Sequence, residues 1–104
     1  MKIIGVLMTY NCGDFVQNAI NQIPKNEFDE IICTDDGSTD NTIEVIKKNN
    51  IQYVVNNHLG YGMNLFAGMK KAFSLGATHI VELHGDSQYD FSSVSYTHLT
   101  LPTT

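Results

Sequence analysis

Apolar residues run almost unbroken through Ile3, Ile4, Val6, Leu7 and Met8, through Ile31, Ile32 and Cys33, through Tyr53, Val54 and Val55, and through Ile80, Val81 and Leu83. Short runs of this kind, rich in β-branched residues and bounded by polar and turn-forming residues, are strands buried on both faces. They predict strands at residues 2–8, 30–34, 52–56 and 79–83. Between them the apolar positions change to helical spacing, at Phe15, Val16, Ala19, Ile20 and Ile23, at Ile43 and Ile46, and at Leu65, Phe66, Met69, Ala72 and Phe73. Strands alternating with amphipathic helices build a parallel sheet through right-handed crossovers. The predicted fold class is therefore α/β, a Rossmann-like parallel sheet of about four strands with three crossover helices. Pro24 should end the first helix, Asn49 and Asn50 the second, and Gly76 the third. Asn41, with Glu44 three residues on, resembles a capping box at the start of the second helix.

In such a sheet the loops that follow the strands open on one edge, where α/β proteins bind their ligands. The unusual residues of this chain sit in those four loops. They are Thr9-Tyr10-Asn11-Cys12-Gly13-Asp14, Asp35-Asp36-Gly37-Ser38-Thr39-Asp40-Asn41-Thr42, Asn56-Asn57-His58-Leu59-Gly60-Tyr61-Gly62, and Leu83-His84-Gly85-Asp86-Ser87-Gln88-Tyr89. The second brings two carboxylates to the end of a buried strand, turns at Gly37 and enters a helix. Taken alone it is as much ordinary turn and cap chemistry as a binding site. Gly60 and Gly62 read either as a flexible turn or as backbone opened to a ligand. Tyr10 and Tyr89 fit the rim of a core, His58 and His79 the surface, the Met and Phe side chains of the third helix the core, and Lys70 and Lys71 a solvated face.

Composition narrows the classes. The 104 residues, 42% hydrophobic and 16% charged, suit one small globular domain. No run reaches the roughly 20 apolar residues of a membrane span. The N-terminus turns polar at Thr9 without a small-residue cleavage site, which points to a first strand in a cytoplasmic protein. Cys12 and Cys33 have no metal-ligand spacing and read as reduced thiols, with a nucleophilic Cys12 the weaker option. A net charge of −5, with six lysines and no arginine, argues against nucleic acid as partner. A phosphate-bearing ligand would have to be neutralised by something other than arginine.

Taken in order, the four loops resemble the nucleotide-binding half of the inverting family 2 glycosyltransferases, the A-type-fold group that includes polyprenyl-phosphate sugar synthases. The resemblance covers residues 3–91. It implies that Thr9, Tyr10 and Asn11 border a nucleobase and that Asp35 or Asp36 contacts the base or ribose. It also makes Gly60 and Gly62 part of the nucleotide loop, ahead of a further helix glycine, Gly68. The family's Asp-x-Asp element is here His84-Gly85-Asp86. The implied ligand is a nucleotide-diphosphate sugar of UDP or GDP type, with Mg²⁺ or Mn²⁺ stabilising the departing diphosphate. Asp86 is the expected metal ligand. His84 either ligates Mn²⁺ through a ring nitrogen or holds a phosphate or Asp86 by a hydrogen bond.

In that family the base that takes the acceptor proton lies in the second half of a domain of about 200 to 250 residues, beyond the last residue here. The expectation is thus a truncated domain, with residues 1–91 as the donor-binding part and 92–104 as an unstructured or non-native tail. From Val94 onward that tail resembles translated sequencing-adapter read-through. Such a fragment should bind nucleotide or metal without turnover, and the strand at 79–83 should expose an apolar edge prone to self-association. His84, Gln88 and Tyr89 resemble a subgroup making lipid-linked or cell-envelope sugars, with the parent protein at the cytoplasmic face of the membrane.

Other classes fit less well. Nucleotidyltransferases and dinucleotide oxidoreductases place a glycine-rich loop after the first strand, where only Gly13 stands. A receiver module needs an aspartate after the third strand, where this chain has Asn56 and Asn57. The non-catalytic alternative is a small α/β nucleotide-binding or structural module.

Overall fold

The computed structural model describes residues 1–86 and 97–98. In chain order the elements are β1 (Ile3–Thr9), α1 (Val16–Gln22), a 3-10 turn (Lys25–Glu27), β2 (Glu30–Asp35), α2 (Thr42–Lys48), β3 (Gln52–Val55), α3 (Tyr61–Ser74), β4 (His79–His84) and β5 (Thr97–His98). The strands form one sheet in the order β3-β2-β1-β4-β5. The first four are parallel, with β1 between β2 and β4. This is the α/β, Rossmann-like architecture that the alternation of apolar runs predicts. β5 falls within 92–104 and pairs antiparallel with His79 and Ile80, two residues of the edge expected to stand open.

Side chains alternate between the two faces of each strand, and two core layers follow. α3 covers the face bearing Ile4, Val6, Ile32 and Ile80. α1 and α2 cover the other, packing Val16, Ile20 and Ile46 against Leu7, Cys33, Val81 and Leu83. Each fully buried aliphatic side chain contributes about 1.5 to 3 kcal/mol relative to exposure. α3 approaches the sheet most closely at Gly68, where a Cβ would stand 2.5 Å from Val6 Cγ1 and 2.8 Å from Thr34 Cγ2.

Several boundaries differ from the sequence expectation. β1, β2 and β4 each run one residue further, to Thr9, Asp35 and His84, because the backbone ladder continues past the last apolar position. β3 stops one residue sooner, at Val55. Asn41 makes no side-chain cap to α2. Asp40 does so instead, its Oδ1 accepting the Thr42 N–H at 3.0 Å and also the Thr42 hydroxyl. α2 and α3 end as the sequence suggests, on left-handed residues Asn50 and Gly76. There Ile51 N–H bonds back to Ile46 O and Ala77 N–H to Ala72 O, the Schellman arrangement.

Phe15 and Phe66, expected in the core, are more than half exposed. Phe66 falls with Met63 on a second apolar stripe of α3, which together with Leu59 of the preceding loop lies beside β3 rather than under the sheet. Among the described residues no helix is long and apolar enough to cross a membrane.

Candidate functional site

The acidic turn divides its two carboxylates between different tasks. Asp35 ends β2 on the same face as Cys33 and is fully buried. It accepts hydrogen bonds from the hydroxyls of Thr9 and Ser38, both at 2.6 Å, and from the N–H groups of Ser38 at 2.8 Å and Gly37 at 3.1 Å. These donors offset the cost of taking the carboxylate out of water. Asp36, 4% exposed, reaches the loop after β3, accepting the N–H of Leu59 at 2.7 Å and of Gly60 at 3.0 Å. Between the two loops Gly37 has φ +86°, and a Cβ there would lie 2.9 Å from Asn56 O. Only glycine meets both conditions.

The loop after β1 is clamped onto the same turn. Asn11 N–H donates to Ser38 Oγ at 2.8 Å, while Asn11 Oδ1 accepts the Thr39 N–H at 2.7 Å. Cys12 N–H donates to Thr42 Oγ1 at 3.0 Å and Gly13 N–H to Asp40 Oδ2 at 2.9 Å. Burial works against the Asp40 carboxylate, but the Thr42 hydroxyl and the N–H groups of Gly13 and Thr42 hold its pKa below the usual range. On the α3 side, buried Asn64 accepts from the Thr34 hydroxyl at 2.9 Å and the Asn56 amide at 2.8 Å, and donates to Thr34 O at 3.2 Å. Polar pairing thus sets three of the four loops relative to one another.

These loops enclose an open cleft of about 270 Å³ at the carboxyl ends of the strands. Thr9 and Tyr10 extend from β1, Asp36 from β2, and His58, Gly60 and Tyr61 from the loop leading into α3. His84 and Asp86 complete it from the end of β4. The rings of Tyr10 and His58 stack with centroids 4.5 Å apart, and His58 Nδ1 lies 3.3 Å from Asp36 Oδ2. Across the cleft the Tyr61 and His84 rings lie 11° from parallel, and Tyr61 donates its hydroxyl to Glu82. That bond, with a smaller contribution from burial, raises the Tyr61 pKa.

Gly85 presses against the first loop, so a Cβ there would meet Thr9 Cγ2 at 2.8 Å and Cys12 Sγ at 3.1 Å. Burial pushes the Cys12 thiol up to about 11 and Cys33 to about 12. Neither is a thiolate at neutral pH, which removes Cys12 as a nucleophile.

Of the residues marked by sequence, Thr9, Tyr10, Asp36, Gly60, His84 and Asp86 line the cleft, whereas Asn11, Asp35 and Gly62 do not. Met8, His58, Tyr61 and Asn64 line it without having been marked as site residues. Asn64 carried a signal, since it lies one helical turn before Gly68 on the face of α3 that meets the sheet. Gln88 and Tyr89 lie outside the described residues. Among the described residues no group of three or more His, Cys, Asp or Glu side chains is gathered as a metal cage. His84 and Asp86 instead provide one nitrogen and one carboxylate donor. That set fits a Mg²⁺ or Mn²⁺ ion that takes most of its ligands from phosphate and water.

Open α/β sheets hold their ligands in the crevice outside the carboxyl ends of their strands, and solved structures superpose on this sheet. The sequence profile of glycosyl transferase family 2 matches residues 6–96, and the chain belongs to that family. The match runs past residue 91 into the stretch expected to be tail.

The M. tuberculosis glucosyl-3-phosphoglycerate synthase, solved with Mn²⁺, UDP and glucosyl-3-phosphoglycerate, superposes with a TM-score of 0.68 at 21% identity, covering 81% of this chain and 33% of that one. S. aureus TarS gives 0.64 at 27% identity, over 83% of this chain and 28% of its own. An uncharacterised glycosyltransferase of Mycoplasma genitalium is 48% identical over 61 residues, 55% of this chain and 20% of that protein. The UDP-N-acetylglucosamine–dolichyl-phosphate N-acetylglucosaminyltransferase of Methanococcus voltae is 29% identical over 102 residues, 81% of this chain and 41% of that enzyme. The chain therefore spans less than half the length of these relatives.

Proposed function

We propose that this chain is the donor-binding part of an inverting glycosyltransferase and that its cleft takes a nucleotide-diphosphate sugar with a bridging Mg²⁺ or Mn²⁺. The supporting observation is that one cleft joins Tyr10 and Asp36 at one end to His84 and Asp86 at the other. Tyr10 offers an aromatic face to a base. Asp36 Oδ1 accepts only the Leu59 N–H and keeps a lone pair for a base N–H or ribose hydroxyl. Thr9 and Gly60 complete the nucleoside end, while Asn11 and Asp35 act by holding the loops. At the other end the diphosphate gains negative charge as the glycosidic bond breaks, and this chain has no arginine to neutralise it. Asp86 and His84 would hold a divalent cation there, which would supply the compensating positive charge.

The acceptor hydroxyl attacks the anomeric carbon from the side opposite the diphosphate, and a carboxylate takes its proton. We assign that base outside these 104 residues, so the chain by itself binds donor without turning it over. The archaeal relative is named for UDP-N-acetylglucosamine and dolichyl phosphate. UDP is accordingly the first choice of nucleotide, and a lipid-linked acceptor at the cytoplasmic face of the membrane is the proposed setting for the whole protein.

Calorimetric titration with UDP and GDP, each with and without Mn²⁺, tests the reading. Metal-dependent binding, tighter for UDP, is expected. Absence of binding to either nucleotide in the presence of metal would leave a small α/β module without a donor site.

A further inference from the structure

Glu82 interrupts the apolar run Ile80-Val81-Leu83 of β4, and the donor-binding reading gives it no task. Strand alternation places it on the same face of β4 as His84, towards α3. There Glu82 Oε1 lies 3.3 Å from His84 Nε2 and accepts the hydroxyl of Tyr61, the first residue of α3. The Tyr61 ring lies nearly parallel to the imidazole at 5.8 Å. His84 is thus held at one edge by a carboxylate and on one face by a tyrosine.

A neutral imidazole carries one N–H and one lone pair. A bare Nε2 would set its lone pair against the Glu82 oxygen, whereas Nε2–H is attracted to it. The carboxylate therefore selects the tautomer with Nε2 protonated and leaves Nδ1 as the basic nitrogen. In the neutral ring the Nδ1 lone pair binds a cation but cannot donate to a phosphate oxygen, which favours the cation role for His84.

We infer that Glu82 is a positioning residue that presents His84 Nδ1 as a cation ligand, giving the cleft a mixed nitrogen and oxygen site that favours Mn²⁺ over Mg²⁺. The preference follows from donor type, because Mg²⁺ holds to oxygen ligands while a ring nitrogen adds affinity for a transition metal. This inference rests on the cation-bridged reading of the cleft.

Two measurements on the full chain test it. Long-range ¹H–¹⁵N correlation spectra at pH 8 without metal read the tautomer of His84, identified by loss of its signals in His84→Asn. The wild type should show Nε2 protonated, Glu82→Leu should lose that preference, and Glu82→Gln, whose amide oxygen is able to face Nε2–H, should restore it. Calorimetry with UDP plus Mn²⁺ or Mg²⁺ should show a Mn²⁺ preference in the wild type. In Glu82→Leu the affinity with Mn²⁺ should fall by about tenfold, the lower end for loss of a ligand-orienting partner, and the affinity with Mg²⁺ should change little.

A wild-type His84 protonated on Nδ1 overturns the inference whatever the protein binds. So does a Glu82→Leu protein that keeps both the affinity and the Mn²⁺ preference of a binding-competent wild type, and in that case the donor reading stands. If the wild type binds UDP with neither metal, the donor reading falls and this role falls with it.

Discussion

Asp36 holds Gly60 directly, its Oδ2 accepting the Gly60 N–H at 3.0 Å while Oδ1 takes the N–H of Leu59 at 2.7 Å. A carboxylate that lines the cleft therefore also shapes the neighbouring loop, which brings His58 and Gly60 to the same end of it. Replacing Asp36 with alanine leaves both N–H groups without their acceptor and should cost about 2 to 3 kcal/mol, read as a lower urea midpoint. Asp36→Asn keeps one acceptor oxygen and should fall between. Tyr10→Ala should stay within about 0.5 kcal/mol of wild type, as an exposed substitution away from such bonds, yet weaken UDP binding. If Tyr10→Ala binds UDP as tightly as wild type, the nucleoside end of the cleft is wrongly assigned.

Asp35 should behave differently from its neighbour. It is buried beneath four donors and lines no part of the cleft. Asp35→Ala leaves four donors without their acceptor, each costing about 1 to 3 kcal/mol where buried, so it should shift the unfolding transition more than Asp36→Ala, which leaves two. The remaining folded fraction should bind nucleotide with nearly wild-type affinity. Chemical denaturation combined with titration of the folded fraction separates these effects.

Two glycines of α3 should respond in opposite ways. Gly68→Ala forces a methyl into Val6 and Thr34 and should destabilise by about 1 to 3 kcal/mol, the usual cost of overpacking. At Gly62 a Cβ meets nothing within 4 Å, so Gly62→Ala should stabilise by about 0.5 to 1 kcal/mol through helix propensity. Thermal unfolding of the two variants checks the contrast.

The buried thiols make stability fall at alkaline pH. Their folded pKa values of about 11 for Cys12 and about 12 for Cys33 lie above the ordinary 9.0. The unfolded chain therefore releases these protons first. The stabilisation is fully present below pH 9 and is lost as pH rises through 11 and 12. Cys33→Ala should flatten the decline of the urea midpoint between pH 9 and 11. Native protein at pH 8 should react with iodoacetamide only after denaturant is added.

β1, β2 and β4 are legible because burying both faces demands nearly continuous apolar runs, while β3, an edge strand with no buried residue, is legible by its β-branched pair Val54-Val55. Their ends were less so, since hydrogen-bonded pairing carries on through Thr9, Asp35 and His84 after hydrophobicity has stopped. That one-residue error hid the division between Asp35 and Asp36. Once β2 includes Asp35, its parity with Cys33 turns it inward, while Asp36 is free to reach the next loop. Glu82 is not legible because a short apolar block does not show that its polar member shares a strand face with His84. β5 was hidden because two residues have no period. Asn41 and Asp40 are both good cap residues, and only backbone geometry chose the second.

Gly85 makes the end of β4 and the first loop touch with no room between them. Residues separated by more than seventy positions along the polypeptide are thereby locked into a single stiff rim.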